Sequence, residues 1–380
     1  MKSKSVQTTV ENFEKTLEEL SSEGYRLLVL FSSTDNLKNF DFDTPVQKHL
    51  PGAELIGCST SGEIGEFVQD NSVSFVAMGF DDAKFKCIEV DIDTVDDSRI
   101  SGRKLAEELA AEDLKGVFVL MPGLNVNGSK FVQGLKEVLP SSLSISGGMA
   151  GDGLNFKETC TVHNGKKSSV MAVGLGIYGD KVTVSNRSRG GWKPFGPQRR
   201  VTRVENNVLY ELDGKPALDL YREYLGDKAA DLPSSGLLYP FAIIDDVNTN
   251  SVGLIRTILD IDEENKSLIL AGDIEKGKAV CLMHADMDDL VQGAEDAARQ
   301  TAEGGSSGTA NDAVICISCV GRRILMGDNT DDELEAVRDV FDQAQITGFY
   351  SYGEISYFGD TKETELHNQT MTITRISEAG

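Results

Sequence analysis

The sequence predicts a mixed α/β fold built from internally duplicated strand-helix-strand-strand units. Three observations lead there: strand-length apolar runs alternate with helical periodicity, strands follow one another without a helix between them, and short motifs recur in register. Consecutive strands need antiparallel neighbours, so the sheets are expected to be mixed rather than purely parallel.

Val10, Phe13, Leu17 and Leu20 recur at three and four within residues 7–22, which predicts an amphipathic helix. A strand follows at Arg26–Phe31, then a helical stretch ending before Pro51-Gly52, and strands at Glu54–Cys58, Ser72–Phe80 and Ala83–Ile92. The order returns with a strand at Gly116–Met121, a helix over 127–139 and strands at Leu143–Gly148 and Ser168–Ile177. It returns again with a strand at Ala313–Cys319, a helix over 331–344 and a strand at Thr347–Ser351. Gly57-Cys-Ser-Thr-Ser-Gly-Glu-Ile64 and Gly348-Phe-Tyr-Ser-Tyr-Gly-Glu-Ile355 agree at four of eight positions. Ser72–Phe80 and Ser169–Ile177 share Ser, Val, Val and Gly at the same offsets. Two matches in the same element order argue for duplication, with the two Gly-Glu-Ile turns in equivalent places.

Between the copies, Gly190-Gly-Trp-Lys-Pro-Phe-Gly-Pro197 is expected to be a rigid irregular connector, and its Trp192 a lid, a wedge between domains or a core anchor. Strands near 199–213, a helix over Lys215–Leu225, short strands from Phe241 to Met283 and a helix over 286–303 follow. The expected division is a helical extension over 1–24, one domain over 25–214 and a second over 215–380.

The charge balance, 37 basic against 61 acidic residues, gives −24 and argues against binding nucleic acid or an anionic membrane surface. No apolar run approaches membrane-spanning length, and Met1–Leu20 lacks the apolar segment of a signal peptide. Six scattered cysteines, mostly within apolar runs, suit reduced buried thiols. A cytoplasmic chain is expected.

Two phosphate-binding patterns fail on context. Gly174-x-Gly-x-x-Gly179 leads into a strand-like segment instead of a helix, and Gly272-Asp-Ile-Glu-Lys-Gly-Lys-Ala279 lacks the hydroxyl that holds magnesium. Cys316 and Cys319 lie three apart in one strand and point to opposite faces. The four histidines show no metal spacing, and no nucleophile-base arrangement is assembled, so no enzyme is expected. The densest polar constellation is Cys319, Arg322, Tyr350, Tyr352, Glu354, His367 and Asn368. Arg322 and Glu354, at the ends of neighbouring strands, should either pair with each other or grip a ligand carboxylate.

Six segments in order resemble the FIST family of two-part sensory modules: Gly57–Ile64, Gly147–Asp152, Gly191–Pro197, Ser318–Arg322, Gly348–Ile355 and Leu366–Thr370. The resemblance implies a two-domain FIST architecture, a small ligand held near Trp192, Cys319, Arg322, Tyr352, Glu354, His367 and Asn368, and a signal passed to a partner. It further implies, by analogy with stand-alone members, a haem b cofactor, nitric oxide sensing and control of a histidine kinase or cyclic-di-GMP enzyme in trans, as a monomer or a homo-oligomer. His284 stands where relatives are expected to carry a basic residue, and is the first candidate for the haem iron; His367, in a shared motif, is the second. The alternative is a haem-free sensor of amino acids or related metabolites.

Overall fold

Alternating residues of the central strands face two different apolar layers, and this alternation organises the molecule. The computed structural model describes residues 1–246, 251–302, 308–358 and 363–379. Its first unit runs β1 (Lys2–Thr8), α1 (Val10–Leu20), β2 (Leu27–Ser32), α2 (Thr34–Asn39), α3 (Asp43–His49), β3 (Glu54–Ser59), β4 (Glu63–Ile64), β5 (Val68–Gln69) and β6 (Val73–Gly79). The second runs β7 (Lys84–Asp91), α4 (Ser98–Leu109), β8 (Leu114–Met121), α5 (Gly128–Lys136), β9 (Ser144–Met149), β10 (Thr161–His163), β11 (Lys166–Ser168) and β12 (Met171–Tyr178).

The third unit opens with β13 (Val182–Arg189) and is then interrupted by a separate sheet. That insertion comprises β14 (Lys193–Glu205), β15 (Val208–Leu212), β16 (Lys215–Pro216), α6 (Ala217–Leu225), β17 (Phe241–Asp246), β18 (Ser251–Arg256), β19 (Ile258–Asp262), β20 (Ser267–Leu270) and β21 (Ala279–His284). The unit resumes with α7 (Met287–Ala302), β22 (Ala313–Cys319), α8 (Val320–Met326), α9 (Thr330–Val340), β23 (Gln345–Ser351), β24 (Gly353–Phe358), β25 (Glu363–His367) and β26 (Met371–Glu378).

The units exchange hairpins. The three six-stranded sheets run β1-β6-β2-β3-β10-β11, β7-β12-β8-β9-β24-β25 and β13-β26-β22-β23-β4-β5. Each holds four strands of its own unit and a hairpin lent by another. The pairs β2/β3, β8/β9 and β22/β23 are parallel, and the other pairings in these sheets are antiparallel. Leu27, Val29 and Phe31 of β2, Val173, Leu175 and Ile177 of β12, and Ala313, Ile315 and Ile317 of β22 point into one shared core. Within it Phe31 stacks on Phe349 with centroids 4.7 Å apart. The intervening residues pack outward against their own helices, as Leu28 and Leu30 do beside Phe13 and Leu17 of α1. Both faces of these strands are buried, hence their continuous apolar runs.

The repeated Gly-Glu-Ile turns are the crossing points. Glu63 pairs with Phe349 of β23, and Glu354 with Gly148 of β9. Glu63 accepts from the Thr60 hydroxyl and from the Ser72 N–H and hydroxyl at 2.9 and 3.1 Å. Glu354 repeats this with Ser351 at 2.6 Å and the Thr370 N–H and hydroxyl at 3.2 and 2.9 Å. In each case the carboxyl ties its turn to the start of the unit's last strand.

Two expectations are corrected. Residues 1–24 are no extension: β1 pairs with β6 along its whole length, and β1 and α1 occupy the places that β7 and α4 hold in the second unit. Gly190–Pro197 is not irregular throughout, because Lys193, Pro194 and Phe195 pair with His284, Met283 and Leu282 of β21. Pro194 is tolerated because β15 pairs only with the later part of β14, from Val201, so the segment is edge-like. The glycines of Gly174-x-Gly-x-x-Gly179 lie in or just after β12, and Gly272–Lys278 joins β20 to β21. Among the described residues no helix is long and apolar enough to cross a membrane.

Candidate functional site

Arg322 is a structural cation. The chain leaves β22 directly into α8, which turns the guanidinium inward until it is fully buried. It donates to Glu333 of α9 through Nη2 at 2.7 Å and Nε at 3.2 Å. It also donates to the carbonyls of Gly190 at 2.7 Å and Leu290 at 2.8 Å. Ser318 and Tyr350 complete the Glu333 carboxylate at 2.8 and 2.6 Å. Both expectations for Arg322 are therefore corrected: its ion-pair partner is Glu333, not Glu354, and its fork is closed to a ligand. Glu333 was not singled out by sequence, since only the α8–α9 corner brings it back beneath β22.

Glu354 is fully buried, and burial raises its carboxyl to about 8 against the hydroxyls that favour the charged form. Glu63, in the equivalent place, is raised by burial to about 7. Behind Glu354, Cys319 is buried and its thiol pushed up by burial and by that carboxyl. Burial pushes Cys316 up to about 12. Such thiols are inert core groups. Tyr352 leaves this cluster: its hydroxyl donates to Asp152, and its ring stacks on Phe156 at 4.6 Å. Asn368 is buried, and its side-chain amide has no hydrogen-bond partner among the described residues.

Trp192 is an anchor, not a lid. It is buried with Met283, Leu290 and Met326, and its Nε1 donates to the Gln369 carbonyl at 2.8 Å. Trp192, His367 and Thr370 do meet, around a cavity of about 300 Å³ that Arg189 and Ile255 also line. His367 is buried, its Nε2 lies 3.2 Å from the Ser356 carbonyl, and burial lowers it to about 4, so the imidazole is neutral near pH 7.

His284 has the opposite setting. It ends β21 on the surface, and its ring meets Phe195 edge-on at 5.6 Å. Phe195 is itself 51% exposed. The two rings open onto a groove of about 340 Å³ with Leu238, Tyr239, Ala285, Leu325 and Lys228. The Lys228 ammonium lies 4.9 Å from the centroid of the Tyr239 ring. An accessible imidazole, apolar walls and one cation thus converge, whereas the imidazole of His367 is shut in. The pairing of β14 with β21 makes this groove, and Phe195 carries no signal in the sequence beyond its place in the Gly191–Pro197 motif.

Comparison with known families gives two matches, the FIST N domain over residues 26–215 and the FIST C domain over 217–357. The chain belongs to the FIST family. FIST domains are sensory, signal-transducing modules, and the chain carries both. The FIST N match takes in nearly all of the first two units and runs into the inserted sheet, where the two matches meet. An uncharacterised protein of Methanocaldococcus jannaschii is 27% identical over 80% of this FIST chain, which spans 62% of that protein's length. An uncharacterised protein of Mycobacterium tuberculosis is 24% identical over 89% of this chain and 88% of its own.

Proposed function

We propose that this FIST protein is a haem-dependent sensor in which His284 would hold the iron, and that nitric oxide is its signal and a histidine kinase or cyclic-di-GMP enzyme its target in trans. The observation that carries the reading is the setting of His284: the exposed imidazole of an apolar, aromatic groove, at the point where the chain passes from the inserted sheet back into the third unit. The chemistry of the lining supports the cofactor: one imidazole, apolar and aromatic walls and one cation, on a groove that would cover part of the macrocycle. His284 would ligate iron, Phe195, Leu238 and Leu325 would cover the macrocycle, and Lys228 would meet a propionate. Haem supplies an iron coordination position that a diatomic gas can occupy.

The chain's own part is to hold the imidazole and to feel its displacement. His284 pairs with Lys193 across the β14–β21 ladder, and Lys193 is ion-paired with Asp289 in the first turn of α7. A shift of His284 therefore pulls on α7, which packs against β13, β26 and α9. Population of a second α7 position would change the face shown to a partner. The haem-free alternative loses its original support, since Arg322 and Glu354 do not form a joint ligand grip.

Addition of haemin to the purified protein tests the reading. A stoichiometric Soret band that nitric oxide shifts, that His284→Ala removes and that His367→Ala leaves in place is expected. A band lost with His367→Ala alone transfers the ligand to the buried cavity. A protein that stays colourless refutes haem altogether.

A further inference from the structure

A cleft of about 1010 Å³ lies between α5 of the second unit and the inserted sheet, and the rejected phosphate-loop pattern Gly272–Ala279 supplies part of its lining. Its wall contains Arg256, the last residue of β18, only 3% exposed. Nε donates to the Asp273 carbonyl at 2.8 Å, and Nη1 donates to the carbonyls of Ile255 and Leu366, each at 3.1 Å. Among the described residues no carboxylate lies within 4.0 Å of this guanidinium, and Nη2 has no hydrogen-bond partner. The two acids that act on it electrostatically are already engaged: Asp273 takes Asn127 at 2.9 Å and Lys130 at 3.6 Å, and Glu365 takes Lys136 at 2.6 Å. A buried cation with no carboxylate in direct contact is costly. Arg322 shows the contrast, with Glu333 closing its fork.

The surroundings favour an anion. The flank of α5 lines one side of the cleft and brings Ser129, Lys130 and Lys136 to it. Lys276 and Lys278 stand at its exposed rim. On a chain of net charge −24 the lining holds five cations against four acids. Gly272 keeps the space open beside the guanidinium, for a Cβ there would lie 3.0 Å from Arg256 Nε and 3.2 Å from Ser129 Oγ. Val204, Ile243 and Leu254 supply an apolar wall.

We propose that this cleft is a second small-molecule site that takes an aliphatic carboxylate, with its oxygens on Arg256 Nη2 and its chain on Val204, Ile243 and Leu254. Such a ligand rests on the inserted sheet and faces Ser129 and Lys130 of α5 across the cleft. The cleft and the His284 groove share no lining residue, so the two readings stand or fall separately.

Isothermal titration of the full-length, haem-free protein with 4-methylpentanoate, L-leucine and 4-methylpentanol tests it. At least one of the two acids should bind, the alcohol roughly tenfold or more weakly, since it leaves the guanidinium unmatched. The better of the two acids shows whether an α-ammonium group is also recognised. Arg256→Lys should weaken binding roughly tenfold or more, because one ammonium cannot both hold the carbonyls of Ile255, Leu366 and Asp273 and present a donor where Nη2 stands. Lys278→Glu, at the exposed rim, should weaken it several-fold without lowering the melting temperature, and this variant decides if Arg256→Lys fails to fold. Absence of binding by either acid at millimolar concentration, equal binding of the alcohol, or wild-type affinity in both variants overturns the proposal.

Discussion

Glu63 and Glu354 are buried carboxyls in equivalent turns, and both titrate above the ordinary carboxylate range because burial penalises the charged form. The native state therefore keeps protons that the unfolded chain has already released, and stability falls as pH rises towards about 7 and 8, then levels off. His367 works in the opposite sense below its ordinary value of 6.5, since its native imidazole stays neutral down to about 4. The carboxyls are thus separated from that imidazole between about pH 6.5 and 8, and the raised Met1 amino group adds a decline of the same sign only towards the upper end. Thermal melting across that interval should show stability declining in the wild type and a flatter profile in Glu63→Gln/Glu354→Gln. An unchanged slope in the double variant would contradict the assignment. Arg322→Met leaves Glu333 buried and uncompensated and should cost about 3–5 kcal/mol in urea unfolding. A loss below about 1 kcal/mol would mean that Ser318 and Tyr350 alone satisfy Glu333. Arg322 was legible as an unusual residue after an apolar strand, but its partner was not. Glu354 looked nearer along the strand ends, while Glu333 reaches Arg322 only through a helical corner that no periodicity records.

Helices and strands with a strong apolar period were readable: β22 matches the expected Ala313–Cys319, and the buried face of α1 carries Phe13, Leu17 and Leu20. β1 was not readable, because Lys2–Thr8 is an edge strand whose alternation of lysine and serine mimics a polar tail. The first residues of β14 were hidden by the glycines and prolines that an edge position permits. Helix α4 also escaped notice, and its packing explains two glycines. A Cβ on Gly102 would lie 2.1 Å from the Phe131 carbonyl oxygen, and one on Gly134 would lie 2.0 Å from that of Arg99. Each helix thus presses its glycine against the other's backbone. Gly102→Ala and Gly134→Ala should each destabilise by about 1–3 kcal/mol in denaturant melts, despite the better helix propensity of alanine. Neutral or stabilising changes would show that α4 and α5 do not approach so closely.

Exchange of hairpins makes the three units one folding problem. The two matched FIST domains are not separable on this view, because β4–β5 needs β23, β24–β25 needs β9, and β13 needs β26. A fragment ending at residue 215 should remain without a cooperative thermal transition and should aggregate, as read by circular dichroism and size-exclusion chromatography. A monomeric, cooperatively melting fragment would contradict the interlocked arrangement. Repetition itself was legible in Gly-Glu-Ile, but the exchange was not, since a copied sequence does not say which neighbour a hairpin joins. The same interlocking lets a ligand at the inserted sheet reach the rest of the molecule: β21 passes from His284 into α7, and α7 lies against β13, β26 and α9. Hydrogen–deuterium exchange of the haemin-loaded protein against the free protein reads both the site and its consequence. Altered exchange over residues 193–197, 279–284 and 287–302, abolished by His284→Ala, is the expected result; bound haemin with unchanged exchange in α7, or changes centred on the His367 turn, would contradict it.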